Sequence, residues 1–234
     1  LLQSQSADFP HGLGNTHDVL GRYLNDHPLG KLVLDLGSPI TVHPPTYVTR
    51  LAVDRSVPLY AAAGMQWSGA SIVARSVLAG HPRRLQSTGF TVFGTMAPSR
   101  EHWLALDPAV SGDDGASGIT LNIRHPPEAA TVLEQARDQI VALLTRAGFE
   151  PRVQVWKLES PGSSNHYSGT CRMHAKPEFG MVDAWGRMHV APNMIVADSS
   201  VFTTNPEKNP VLTSMTLAAR AADRLAAELK SGDL

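Results

Sequence analysis

Two segments of the sequence place a chemically active side chain among small, turn-forming neighbours. In the first, residues 165–173, His166 is followed closely by Gly169. Histidine titrates closer to neutral pH than any other side chain, so His166 is a candidate general base. A structural histidine bonded to the backbone would give the same local pattern, and this residue alone does not decide between the two interpretations.

The second segment, residues 198–213, contains Asn209 directly before Pro210. Asparagine is a preferred helix N-cap and proline is favoured at the first helical position, so a helix is predicted to begin here. The unpaired N–H groups and the positive dipole of such a helix end can bind an anion. An ordinary capped helix without a ligand accounts for the same two residues.

Asp198 ends an apolar run that starts at Met194, and this pattern predicts a buried strand with a carboxylate at its end. The carboxylate could accept a hydrogen bond from a cofactor hydroxyl. It could equally cap the following loop through Ser199 or Ser200. The sequence allows both roles.

The other candidates for covalent or metal chemistry are less favoured. Cys171 has no activating neighbour, so a buried and inert thiol is expected. The serines at 163 and 164 lack the Gly-x-Ser-x-Gly frame of a hydrolase. His166, His174 and His189 do not have the spacing of a metal-binding helix, so no metal site is predicted.

The composition excludes several classes of protein. Lys and Arg together number 20 and Asp and Glu 21, and the formal net charge of −1 gives no nucleic-acid-binding signature. A single cysteine excludes an intrachain disulfide and a Cys-rich metal site. No apolar stretch approaches the roughly 20 residues that span a bilayer. These features favour a soluble protein, cytoplasmic rather than secreted.

Short apolar and β-branched runs separated by turns favour an antiparallel sheet in the first half of the chain. The predicted strands are residues 31–36, 46–53, 89–94, 101–106 and 119–124. Apolar residues then recur at helical spacing, which predicts a helix over residues 128–147 that ends at Gly148. A second helix is predicted over residues 211–229, and a short one from Asp18 to a point before Pro28.

The order of these motifs resembles the glucose–methanol–choline (GMC) family of flavin oxidoreductases. Residues 166–173 read His-Tyr-Ser-Gly-Thr-Cys-Arg-Met and are similar to the family's loop His-x-x-Gly-Thr-x-Arg-Met. Residues 182–202 resemble the strand pair that follows that loop, and residues 205–222 resemble the closing loop and helix. Weaker matches lie upstream, in residues 12–28 and 106–115.

The resemblance implies FAD-dependent oxidation of a small-molecule alcohol or sugar hydroxyl. The residue that matches His166 takes the hydroxyl proton while hydride passes to flavin N5. The residue that matches Asn209 hydrogen-bonds the same oxygen, and asparagine there is similar to pyranose, choline and cholesterol oxidases, which favours a sugar-oxidase-like branch. Contacts with FAD are expected from Asp198, Ser199, Asn209, Pro210 and the backbone N–H of Val211.

The resemblance also implies a mixed α/β (α+β) fold. Residues 1–30 and 157–234 would belong to a Rossmann-like FAD-binding domain, and residues 31–156 to a substrate domain with a mostly antiparallel sheet flanked by helices. The family's Gly-x-Gly-x-x-Gly loop is absent, because the motif that starts at Gly12 has His17 at its last position. The remainder of the FAD site is therefore expected on a preceding segment or on a partner chain.

Two alternatives to an oxidoreductase stay open. Some members of the fold keep FAD without using it in redox chemistry and cleave cyanohydrins by acid–base catalysis, which would make this chain part of a lyase. The chain could also be a non-catalytic subunit that has lost the chemistry.

Overall fold

The computed structural model is built around an antiparallel sheet. It describes residues 1–40, 48–51, 63–67, 85–112, 117–205 and 207–232. The strands of the sheet are β1 (Leu29–Ile40), β2 (Val48–Leu51), β3 (Ala63–Trp67), β4 (Leu85–Gly94) and β7 (Arg152–Leu158). Within the described residues these strands lie in the order β2-β3-β4-β1-β7, and each neighbouring pair is antiparallel.

A separate hairpin consists of β5 (Trp103–Ser111) and β6 (Ser117–Asn122), which also pair antiparallel. The two sheets confirm the expected fold class, a mixture of helices and mostly antiparallel strands. The strand predicted over residues 46–53 is present at 48–51, and its other residues lie outside the described part of the chain.

Helix α1 (Ala129–Arg146) packs against the sheet, as its apolar period predicts. Leu32, Leu34 and Leu36 of β1 lie on one face because side chains alternate along a strand, and all three are buried. The other members of this core come from β4 and α1, namely Phe90, Val92, Val132, Leu133, Ala136 and Ile140. Full burial of one leucine contributes about 1.5–3 kcal/mol, so this layer is a large part of what stabilises the sheet.

Residues that precede β1 and residues that follow β7 pack together in a second core. Its buried members are Val19, Leu20, Cys171, Met181, Val182, Met188, Val201 and Phe202. Backbone pairing joins the same regions, since Asn25 and Ser168 exchange N–H···O bonds of 2.9 and 3.0 Å. The division of the chain into two domains at residues 30 and 156 stays a prediction.

The short helix predicted from Asp18 is wrong. Asp18 and Tyr23 have φ of 53° and 58°, which a right-handed helix does not use. The segment instead follows distant backbone: Arg22 forms a bridge with Trp103, and the N–H of Leu24 donates to the carbonyl of His102 at 3.1 Å. These tertiary pairs override the local helix signal.

The buried strand predicted at residues 194–198 is also wrong. Ile195 forms an isolated bridge with Arg187, Met194 is 37% exposed and Asp198 is exposed. The apolar run lines a cleft of about 560 Å³ together with Leu104 of β5. Its hydrophobicity therefore reflects the wall of a cleft and not a strand inside the core.

Helix α2 (Val211–Ser231) confirms the last predicted helix. Pro210, and not Asn209, occupies the N-cap position, and the N–H of Ser214 donates to its carbonyl at 2.9 Å. Asn209 thus lies one residue outside the helix because the proline carbonyl accepts this first-turn hydrogen bond. None of the helices in the described residues is both long and apolar enough to cross a membrane.

Candidate active site

His166 lies half-buried in the loop that follows β7, with its main chain and its ring both held. Its N–H donates to Oδ1 of Asp26 at 3.1 Å, and its carbonyl accepts from Nδ2 of Asn205 at 2.8 Å. The ring packs edge-on against His27, with centroids 5.0 Å apart, and lies 5.4 Å from the ring of Phe93. The residue is therefore held by contacts from three separate parts of the chain, two of which contact the ring.

Asp26 is completely buried and serves as a hydrogen-bond acceptor for this loop. Its Oδ2 accepts from the N–H of Ser164 at 3.1 Å, and its Oδ1 accepts from the hydroxyl of Ser164 as well as from the N–H of His166. An ionised carboxylate is acceptor-only, which suits this set of donors. Buried charge is tolerated only where hydrogen bonds compensate for lost water, and these bonds do so.

The imidazole of His166 is suited to accept a proton at neutral pH. Burial lowers the pKa of His166 from its ordinary value, while the negative charge of Asp26 opposes that shift. Its Nδ1 is buried and has no hydrogen-bond partner among the described residues. A neutral imidazole is what a general base requires.

His27 is a second buried histidine in direct contact with the first. Its Nδ1 lies 3.1 Å from the carbonyl of Gly94, and since a carbonyl only accepts, Nδ1 carries the hydrogen. Burial, reinforced by nearby His166, lowers the pKa of His27 to about 4. His27 is therefore neutral at neutral pH and has a bare Nε2 without a partner in the described part of the structure.

Asp198 and Ser199 lie beside Tyr167, a residue of the loop that carries His166. Oδ1 of Asp198 accepts from the N–H of Ser200 at 2.7 Å, which is the capping role that the sequence allowed. The hydroxyl of Ser199 donates to the carbonyl of Tyr167 at 2.9 Å. A cleft of about 420 Å³ is lined by these residues and by the apolar side chains Leu104, Ile119 and Leu121 of the hairpin.

Asn209, Pro210 and Val211 form the start of α2, with Asn209 exposed, Pro210 buried and Val211 61% exposed. Among the described residues, no hydrogen bond joins Asn209 to His166. The amide that does reach His166 is that of Asn205, four positions earlier. Pairing of His166 with Asn209 on one substrate oxygen thus stays a prediction.

Cys171 behaves as its sequence context predicts. The thiol is buried, and burial raises its pKa to about 11. Since the thiolate is the nucleophile, such a cysteine is inert at neutral pH.

Sequence reasoning missed Asp26, His27, Phe93 and Asn205 as members of this site. A signal was available for part of it, because residues 26–28 read Asp-His-Pro within the segment that resembles the GMC family. Asn205 likewise begins the segment 205–222 that resembles the family's closing loop. Nothing local marks Phe93, whose role depends on contacts across the fold.

The model of the family described as GMC oxidoreductase matches residues 111–218. A 2-methyl-1,2-propanediol dehydrogenase of Mycolicibacterium austroafricanum is 26% identical over 95% of this chain and 44% of its own length. A C-glycoside 3-oxidase of Arthrobacter globiformis is 31% identical over 61% of this chain and 28% of its own length.

The fold is similar to that of a formate oxidase from Aspergillus oryzae, solved in connection with its FAD modification. The TM-score is 0.59 at 16% sequence identity, covering 91% of this chain and 48% of that chain. The chain thus spans less than half the length of the proteins that it resembles.

Proposed function

We propose a function for this chain on the basis that it belongs to the GMC oxidoreductase family, whose cofactor is FAD. The chain carries the acid–base residues, and some of the flavin contacts, of an enzyme that oxidises the hydroxyl of an alcohol or sugar. The observation that carries this proposal is the half-buried imidazole of His166, kept neutral by burial and fixed by Asp26.

The residues present fit an FAD group. Asp198 and Ser199 line a cleft, and the exposed start of α2 at Val211 has N–H groups without intrahelical partners. Such N–H groups and the helix dipole favour negative charge, as in the pyrimidine edge of a reduced flavin. We assign the flavin contacts to Asp198, Ser199, Asn209, Pro210 and Val211.

The dinucleotide-binding loop is proposed to lie on a preceding segment or on a partner chain. His17 stands at the position where the family's last loop glycine would be. Residues 1–30 and 157–234 would complete that FAD-binding domain, and residues 31–156 would form the substrate domain.

In the proposed reaction the substrate hydroxyl loses its proton to the imidazole of His166, and its carbon loses a hydride. The alcohol thereby becomes a carbonyl compound. Bound FAD supplies the two-electron acceptor for the hydride. Asn209 donates a hydrogen bond from its amide to the reacting oxygen. This bond stabilises the negative charge that develops on the oxygen as the proton leaves.

The substrate class follows from the relatives in broad terms. One relative is named for a diol and another for a C-glycoside, so both small alcohols and sugars occur among them. We propose a sugar hydroxyl as the substrate of this chain, because asparagine at position 209 is similar to pyranose oxidases and one relative is named for the oxidation of a C-glycoside.

Removal of the Asn209 amide tests its assigned role. Asn209→Ala is expected to slow flavin reduction by substrate about 10²-fold, the usual cost of losing one donor to a developing oxyanion. Asn209→His is the matched control, since it restores a donor and should recover most of the rate. Stopped-flow absorbance under anaerobic conditions measures both. Equal rates in the alanine variant and the parent would remove Asn209 from the mechanism.

The function itself is tested by mixing the purified flavin-containing protein with alcohols and sugars in the absence of oxygen. Loss of the oxidised-flavin absorbance with at least one of them is the expected result. A lyase would release its carbonyl product while the flavin stays oxidised. A protein purified without flavin, even beside its natural partner, would point to a non-catalytic subunit.

A further inference from the structure

We propose that Asp26 is the positioning residue of the base: it fixes the His166 loop by hydrogen bonds and places a buried negative charge beside the imidazole. This inference rests on the proposed role of His166 as general base. Asp26 does not face solvent, so it acts on the reaction only through His166.

Asp26 forms hydrogen bonds with the first and the last residue of the three-residue segment 164–166. Ser164 is bound through its N–H and its hydroxyl, and His166 through its N–H. Asn165 between them has φ of 59°, a left-handed conformation that needs such support. The loop therefore holds a strained turn directly before the base, and the carboxylate spans it.

Ser164 also connects this arrangement to the second histidine. Its hydroxyl oxygen accepts from the N–H of His27 at 3.3 Å while its hydrogen goes to Asp26. The ring of His27 in turn packs edge-on against His166. The carboxylate of Asp26 thus fixes the main chain of His166. His27, the residue after Asp26, fixes the plane of the His166 ring.

A purely structural aspartate would hold the loop without affecting proton affinity, so the charge has to be tested separately from the hydrogen bonds. The charged and titratable groups around His166 are Asp26 and His27, with Glu207 near His27 and with His125 and Tyr167 near Asp26. His27 is neutral at neutral pH because burial lowers its pKa to about 4. Asp26 is therefore the charge that acts on His166.

The sign of the effect follows from these contributions. Burial lowers the pKa of His166, and the negative charge of Asp26 raises it against that trend. Asp26→Asn removes the charge and keeps the shape, although its amide nitrogen cannot accept a hydrogen bond in place of a carboxylate oxygen. Loss of the negative charge lowers the pKa of His166 further. Since the base works only when neutral, the acid limb of kcat/KM should then move to lower pH.

The test compares Asp26→Asn with Ser164→Ala in the flavin-containing protein. Asp26→Asn should shift the acid limb of kcat/KM to lower pH and reduce the pH-independent rate about 10-fold or more, because the base is less well placed. Ser164→Ala removes the hydrogen bond that the hydroxyl donates to Asp26 and the one that it accepts from the N–H of His27, but it keeps the charge. The acid limb of its kcat/KM profile should lie at the same pH as in the parent protein or at a higher pH. Its loss of rate should be smaller than that of Asp26→Asn.

The outcomes separate this inference from the function on which it rests. His166→Ala is measured in parallel, and an undiminished rate of flavin reduction there would overturn the proposed function. If that variant is slow but the acid limb of Asp26→Asn coincides with that of the parent, the positioning role of the charge is overturned. Should Asp26→Asn fail to fold, Ser164→Ala decides, because a shift of its limb to lower pH would contradict the role assigned to the charge.

Discussion

Replacing His166 by alanine is expected to slow reduction of the bound flavin by substrate about 10²–10⁴-fold, the range for loss of a general base. In the proposed mechanism the imidazole accepts the hydroxyl proton, and without it the hydride would have to leave from a neutral alcohol. Rapid mixing with substrate under anaerobic conditions, followed by flavin absorbance, measures this step directly.

His174→Ala is the matched control for this prediction. His174 lies in the same stretch of sequence, but its Nδ1 lies 3.2 Å from the carbonyl of Lys176 and accepts from the N–H of that residue at 3.0 Å, within its own loop. The control should reduce flavin at close to the parent rate. If His166→Ala and His174→Ala behaved alike, His166 could not be the base.

Gly169→Ala is expected to destabilise the protein by about 2–4 kcal/mol, from backbone strain and lost hydrogen bonds. Gly169 has φ of +91°, and an added Cβ would lie 2.2 Å from the carbonyl oxygen of Tyr23. Neither backbone can move without disturbing the paired N–H···O bonds between Asn25 and Ser168. The methyl group would therefore separate the segment that carries Asp26 from the loop that carries His166.

Gly148→Ala is the control that measures the cost of a positive φ alone, without a steric clash. Gly148 has nearly the same φ, +88°, but an added Cβ would meet nothing within 4 Å. It should cost only about 1 kcal/mol, the penalty for a side chain in the left-handed region. Urea unfolding followed by circular dichroism compares the two variants. Equal losses would show that the approach of Tyr23 is unimportant.

Local patterns were sufficient to predict much of the fold. The helical period of residues 128–147 corresponds to α1, and the apolar run of residues 31–36 corresponds to β1, whose Leu32 and Leu34 are buried. These signals are reliable because each element has one face in contact with the core, so its period appears directly in the sequence. The apolar run at 194–198 gave a wrong strand prediction, because the wall of a cleft can be as apolar as a strand in the core.

The candidate site was only partly predictable. His166 stands out by its residue type and its small neighbours, and the GMC-like motif marks it. Asp26 and Asn205 act on His166 through its main chain, and no short-range pattern reports such contacts. The burial that lowers the pKa of His166 comes from distant segments that include His27 and Phe93, so it can be seen only in three dimensions.

The bonds between Asp26 and Ser164 join positions 138 residues apart in the chain. A helix such as α1 forms from residues near one another in sequence, whereas the contact between Asp26 and Ser164 closes a long loop of chain. During synthesis, Asp26 therefore emerges 138 residues before the serine whose N–H and hydroxyl it accepts. A polypeptide that ends before β7 lacks Ser164 and His166 altogether, so the carboxylate of Asp26 would be left without the hydrogen-bond donors that compensate for its burial.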